Sequence, residues 1–230
     1  MKTIRKIVLI SALACIVLSS AAQGRYNPLT TWPYMYEEFR SGKIITWKGD
    51  TAEYDSLNVN LISGRVHYVQ DGTIMESDLN TVARLCIGED IYVLAGGRMM
   101  QVLRGTEHGA VVLSVTVDTE TMNRSSIGYG TSAIASTRNV SVSAISGEME
   151  YSFNRNLDTA RRDRYSGDRL ALKQVKGILY KGTFVPATRT DFLKIPGIDK
   201  EAVKRFIKTE KIRLSDIDDL ARLAEFLYTL

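Results

Sequence analysis

Between residues 43 and 117 the chain is a succession of short β-branched and aromatic runs, and a turn signal interrupts it about every 8–12 residues. The punctuation is Gly49-Asp50, Ser63-Gly64, Asp71-Gly72, Gly88-Glu89-Asp90 and Gly96-Gly97. β-branched and aromatic residues dominate these runs, and the recurring turns point to antiparallel pairing of neighbours. Asp71-Gly72 is the strongest hairpin signal, because both residues tolerate the positive φ of a tight two-residue turn. The strands expected are 43–48, 53–61, 65–70, 73–76, 82–87, 91–95, 98–103 and 108–117. In the second of these, Tyr54 shares a face with Leu57, Val59 and Leu61 only if a bulge separates Tyr54 from Leu57.

Strand chemistry returns at 172–186, where 174–180 meets 183–185 across Lys181-Gly182. The end of the chain is helical. Asp199 is placed to cap a helix running to about Thr209, with Ala202, Val203, Phe206 and Ile207 on one face. Ser215 with Asp218 resembles a capping box for a last helix, whose stripe is Ile217, Leu220, Ala221, Leu223, Ala224 and Leu227. The fold class expected is therefore mainly β with α (α+β): an antiparallel sheet, sandwich or small barrel carrying a C-terminal helix pair.

The first residues have a different logic. Lys2, Arg5 and Lys6 precede an apolar run from 7 to 18, and small residues through Ala22 follow. A basic start, an apolar core too short to span a bilayer comfortably and a small-residue cleavage site predict a secretory signal at 1–22. An uncleaved anchor, or a lipoprotein modified at Cys15, are the alternatives. Loss of this segment would lower the net charge from +4 to +1. So balanced a chain gives no support for a nucleic-acid partner, whose phosphates demand a basic surface. It would also leave Cys86 as the one cysteine, expected to be a small buried core residue rather than a disulfide partner or reactive thiol. The domain layout expected is signal 1–22, β-rich domain 23–118, long loop or weakly ordered insertion 119–169, and hairpin plus helices 170–230.

Residues 23–41 are aromatic, with Tyr26, Trp32, Tyr34, Tyr36 and Phe39. Packing onto the following domain is one reading, and a stacking surface for a glycan or peptide is the other. Trp32, Tyr34 and Tyr36 are the leading candidate contact residues. Arg161 and Arg162, in an arginine-rich stretch of the insertion, are the second choice.

Chemical motifs are sparse. His67 and His108 have no companions at metal-ligand spacing, so neither a metal nor a cofactor is expected. There is no nucleophile elbow, and Gly128-Tyr129-Gly130 lacks the third glycine of a phosphate loop. The stretch from Ile195 to Ala202 resembles a helix-hairpin-helix turn, but Asp199 stands where phosphate would need a glycine. The paired acids Glu89-Asp90 and Asp218-Asp219 suit a turn and a helix start.

Two stretches carry a resemblance. One runs from Trp32-Pro33-Tyr34 to Phe39, through Gly42-Lys43-Ile44 and Asn58-Val59-Asn60, to Val66-His67-Tyr68. The other is Tyr180-Lys181-Gly182-Thr183-Phe184-Val185-Pro186, followed by Phe192-Leu193 and 203–207. Together they resemble a group of exported, uncharacterised β-rich proteins of Bacteroidetes with a short C-terminal helical segment. The resemblance implies a Gram-negative envelope setting and brings no catalytic residues.

The function expected is that of an exported cell-envelope protein, periplasmic or outer-membrane-associated. Its role would be binding or structural, and its partner an envelope protein or a glycan. The alternative is a periplasmic hydrolase using His67 or His108 with a carboxylate. An integral outer-membrane barrel is disfavoured, because the chain ends in helices rather than in a strand with a terminal aromatic.

Overall fold

The computed structural model describes residues 26–121 and 154–230. The expected signal segment 1–22, Cys15 within it, the Gly128-Tyr129-Gly130 run and residues 122–153 of the expected insertion lie outside the described residues.

The recurrent turn signals do generate a meander. Its strands are β1 (Arg40–Thr46), β2 (Thr51–Val59), β3 (Val66–Gln70), β4 (Thr73–Glu76), β5 (Val82–Ile87), β6 (Asp90–Ala95), β7 (Arg98–Gly105) and β8 (Ala110–Val117). Three more follow: β9 (Arg155–Asn156), β10 (Leu172–Tyr180) and β11 (Thr183–Pro186). All join one antiparallel sheet in the order β11-β10-β8-β7-β6-β5-β1-β2-β3-β4-β9. Of the β arrangements expected, the open sheet is the one that forms. The segments expected as separate β regions, 23–118 and 170–230, share it, because β10 pairs along β8 from Leu172 opposite Val117 to Leu179 opposite Ala110.

Local chemistry explains the details. Asp71 and Gly72 adopt φ of 49° and 73°, closing β3 onto β4 by the tight turn their sequence predicts. Arg40 faces Leu57 while Gly42 faces Tyr54, so β2 carries one extra residue between Tyr54 and Leu57, which is the expected bulge. Gly42 is required on the opposite strand, because a Cβ there would collide with the carbonyl oxygen of Cys86.

Strand twist accumulates over so many strands, and the sheet curls. The turn after β2 reaches β7 even though β1, β5 and β6 lie between: Met99 N donates to Gly64 O at 2.8 Å, and Arg98 Nη2 donates to Leu61 O at 2.9 Å. Leu61 packs on Leu113 and Val115 of β8. The aromatic N-terminal segment fills this concavity. Tyr36 joins Ile44, Leu57, Leu85, Tyr92 and Met99 there, while Trp32, Tyr34 and Phe39 pack with Ile74 of β4.

Among the described residues, besides a helical turn at 119–121, there are α1 (Leu157–Asp163), α2 (Arg189–Phe192), α3 (Lys200–Thr209) and α4 (Ile217–Tyr228). Asp199 caps α3 as expected, accepting from Glu201 N and Ala202 N. The cap of α4 is a correction. Asp216, not Ser215, accepts from Asp218 N and Asp219 N at 3.0 and 3.1 Å. Leu220, Leu223, Ala224 and Leu227 then bury one stripe of α4 against Val111, Ile178 and Tyr180 of the sheet. The helix pair is joined by Phe206 and Phe226, stacked at 3.9 Å. None of the described helices is long and apolar enough to cross a membrane.

Two further expectations are corrected. The described end of the insertion is not loop: Asn156 caps α1 by accepting from Thr159 N, and Leu157 and Ala160 give the short helix a buried side. Cys86 is only half-buried. In β5 it is Leu85 and Ile87 that enter the core, so Cys86 between them faces outward beside its cross-strand neighbours Lys43 and Ile91.

Candidate functional site

The aromatic segment was the leading contact candidate, and burial overturns that reading. Trp32, Tyr34 and Tyr36 are 0, 2 and 8% exposed, so none offers a surface to a partner. Each is held in place by hydrogen bonds a buried polar group requires. Trp32 Nε1 donates to Tyr36 O at 3.2 Å. Asn58, itself fully buried, accepts from Tyr36 N at 3.1 Å and Val59 N at 2.9 Å, and donates to Tyr36 O at 2.9 Å. The Tyr36 hydroxyl donates to Asp90 Oδ2 at 2.5 Å and lies 2.6 Å from the Tyr92 hydroxyl, while Gln101 Nε2 donates to Asp90 Oδ1 at 2.8 Å. Burial first, then the neighbouring Tyr92 and Asp90, pushes the Tyr36 phenol far above its ordinary pKa, so it stays a neutral donor.

His67 on β3 does meet a carboxylate, but inside the fold. Its ring is fully buried, with Nδ1 2.9 Å from the Tyr34 hydroxyl and Nε2 3.2 Å from Glu76 Oε2. Arg65 Nη1 donates to the other Glu76 oxygen at 2.6 Å. An imidazole protonated on Nε2 donates to Glu76 and accepts from Tyr34, which leaves neither ring nitrogen for a substrate. The arrangement ties the N-terminal segment to the β3–β4 hairpin.

The His67 hydrogen bond, assisted by Arg65, holds the Glu76 carboxyl below its ordinary value of 4.5. A carboxyl whose native pKa is lowered stabilises the fold fully above its unfolded value, and that stabilisation disappears as pH falls through the native one. The urea midpoint of the protein is therefore expected to drop further between about pH 5 and about pH 3 than that of Glu76→Gln. Parallel pH curves for the two proteins would refute the linkage.

The second-choice residues, Arg161 and Arg162, lie on α1. Arg161 Nε is 3.2 Å from Glu38 Oε2 and its Nη1 is 3.8 Å from Asp158, so it is engaged within the chain. Arg164 also pairs with Glu38, and that contact raises its guanidinium pKa. Arg162 is exposed, its Nη2 donating to Thr159 Oγ1 at 3.2 Å. The basic stretch is thus largely the clamp that fastens α1 to Glu38.

What the outer face presents instead is a shallow groove across β1, β2 and β5, about 400 Å³ in volume and open to solvent. Ser41, Lys43, Glu53, Tyr54, Asp55, Cys86 and the backbone of Gly42 and Gly88 line it. Lys43 stands between its cross-strand neighbours Glu53 and Cys86. Among the described residues none of Lys43, Glu53 and Asp55 is ion-paired. At the tip of the same β1–β2 hairpin, Trp47 is 64% exposed. Sequence alternation placed Lys43, Glu53 and Asp55 on strands, but the groove arises from the bulge and from the pairing of β1 with β5, which are distant in sequence.

His108 is in the turn between β7 and β8 rather than in the strand expected for it. Its imidazole packs 5.3 Å from the Tyr228 ring of α4, and its ligand atoms converge with the carboxylates of Glu107 and Glu225 to within 4.8 Å of one another. No spacing rule could have assembled this group, because Glu107 and Glu225 are separated by 118 positions.

No family model, no curated protein and no solved structure matches this chain.

Proposed function

We propose that this is an exported cell-envelope protein with a binding role, and that the groove across β1, β2 and β5 receives a segment of an envelope protein partner. Export rests on the signal-like residues 1–22, and the Gram-negative envelope setting on the Bacteroidetes resemblance. The observation that carries the binding reading is the charge left unpaired in the groove. Elsewhere Glu38 is paired with Arg161 and Arg164, and Glu76 with Arg65. Lys43, Glu53 and Asp55 keep their charges for something outside the described residues. A groove lined by one lysine and two acids suits a peptide carrying both signs better than a neutral glycan, and Trp47, exposed at the tip of the same hairpin, is the residue type that anchors protein interfaces.

Two measurements test this. Protein recovered from the envelope fraction should begin near Gln23, and recovery of the intact N-terminus from cytosol would refute export. A photoreactive residue at Glu53 should give a discrete crosslinked product in living cells, weakened when Lys43→Glu or Trp47→Ala is added. Absence of any product from positions 43, 47 and 53 would remove the groove from consideration. The hydrolase reading is favoured only by His108 with its two carboxylates. Turnover of ester or peptide substrates that disappears in His108→Ala would support it.

A further inference from the structure

The Glu107, His108 and Glu225 group gathers two unneutralised carboxylates around an imidazole. Two carboxylates and an imidazole converge to within 4.8 Å. Among the described residues neither Glu107 nor Glu225 is ion-paired with a lysine, arginine or histidine. Nearby acids on α4 are neutralised: Asp218 by Arg104, and Asp219 by Arg213 and Arg222. The group is nonetheless positioned. Glu107 N donates to Glu225 Oε1 at 2.6 Å, and the His108 ring rests on Tyr228, whose hydroxyl accepts from Lys181 N at 2.7 Å. Like charges gathered this closely repel unless a cation sits between them.

We infer that Glu107, His108 and Glu225 form a binding site for a divalent transition-metal cation of the zinc class, which clamps α4 to the β7–β8 turn. The imidazole decides the class, because calcium and magnesium favour all-oxygen cages while zinc accepts mixed nitrogen and oxygen ligands. A cation ~2.1 Å from each of three ligand atoms needs them ~3.4 Å apart. The exposed Glu107 and His108 side chains reach that by closing little more than about 1 Å. Three protein ligands leave the remaining coordination positions to water.

The chain contains two histidines, which makes the wild-type protein its own control. Zinc chloride is titrated into the full chain while the imidazole signals are followed by NMR. Binding of one equivalent should move the signals of exposed His108 and leave buried His67 in place. The melting temperature should rise as the clamp forms. His108→Ala and Glu225→Gln, checked for folding by circular dichroism, should each weaken zinc at least about tenfold. The inference is overturned if zinc moves neither histidine, if it binds both variants as tightly as wild type, or if calcium binds at the site in preference to zinc.

Discussion

Replacing Trp32 with alanine is expected to lower the unfolding free energy by about 4 kcal/mol, the range for truncating a large aromatic in a packed core. The indole is fully buried, stacked edge-on against Tyr34 and Phe39 at centroid distances of 5.1 and 5.8 Å, and its nitrogen donates to Tyr36 O. Truncation removes that apolar area, opens a cavity beneath β4 and leaves Tyr36 O with the Asn58 Nδ2 hydrogen bond alone. Urea unfolding should show the midpoint moving sharply with little change in slope. A loss below about 1 kcal/mol would mean the side chain is not in the core and would restore it as a contact residue. The experiment therefore separates the two roles that the aromatic N-terminal segment can be given before the fold is seen.

His67→Ala should cost about 3 kcal/mol, because it empties a fully buried position and takes a hydrogen-bond partner from both Tyr34 and Glu76. The Tyr34 hydroxyl loses its neighbour at 2.9 Å and Glu76 loses the hydrogen bond that contributes most to its low pKa. Tyr34→Phe alone should be milder, since it removes the hydroxyl together with its need for a partner. Combined with His67→Ala it should restore part of the loss, giving a coupling of about 1 kcal/mol in a double-mutant cycle. Strict additivity would show that the two side chains do not share a hydrogen bond. A His67→Ala protein with unchanged stability but lost activity would reverse the assignment altogether and make the imidazole a reacting group.

Much of the architecture was legible one turn at a time. Asp71-Gly72, the bulge between Tyr54 and Leu57, the Lys181-Gly182 hairpin and the Asp199 cap all depend on residues within a few positions of one another, and all stand where sequence chemistry puts them. The misreadings have a common origin. Cys86 was placed in the core because its run is apolar, yet only one face of β5 is covered. His108 was given to a strand because valines follow it, but the turn from β7 extends to Gly109. The arginines before Tyr165 looked like solvated loop because their counter-charge, Glu38, lies 123 positions from Arg161.

Periodicity and turn chemistry settle which residues extend, where the chain reverses and which helix stripe is apolar, since these follow from φ preferences and neighbours a few residues away. Partner choice is another matter. That β5 returns to lie beside β1, that β10 joins β8, that the aromatic segment enters the concavity and that Glu225 meets His108 are outcomes of packing the whole chain at once. Each such contact is selected by shape and burial among many segments of similar composition, and nothing in a residue's local pattern records which distant surface will cover it.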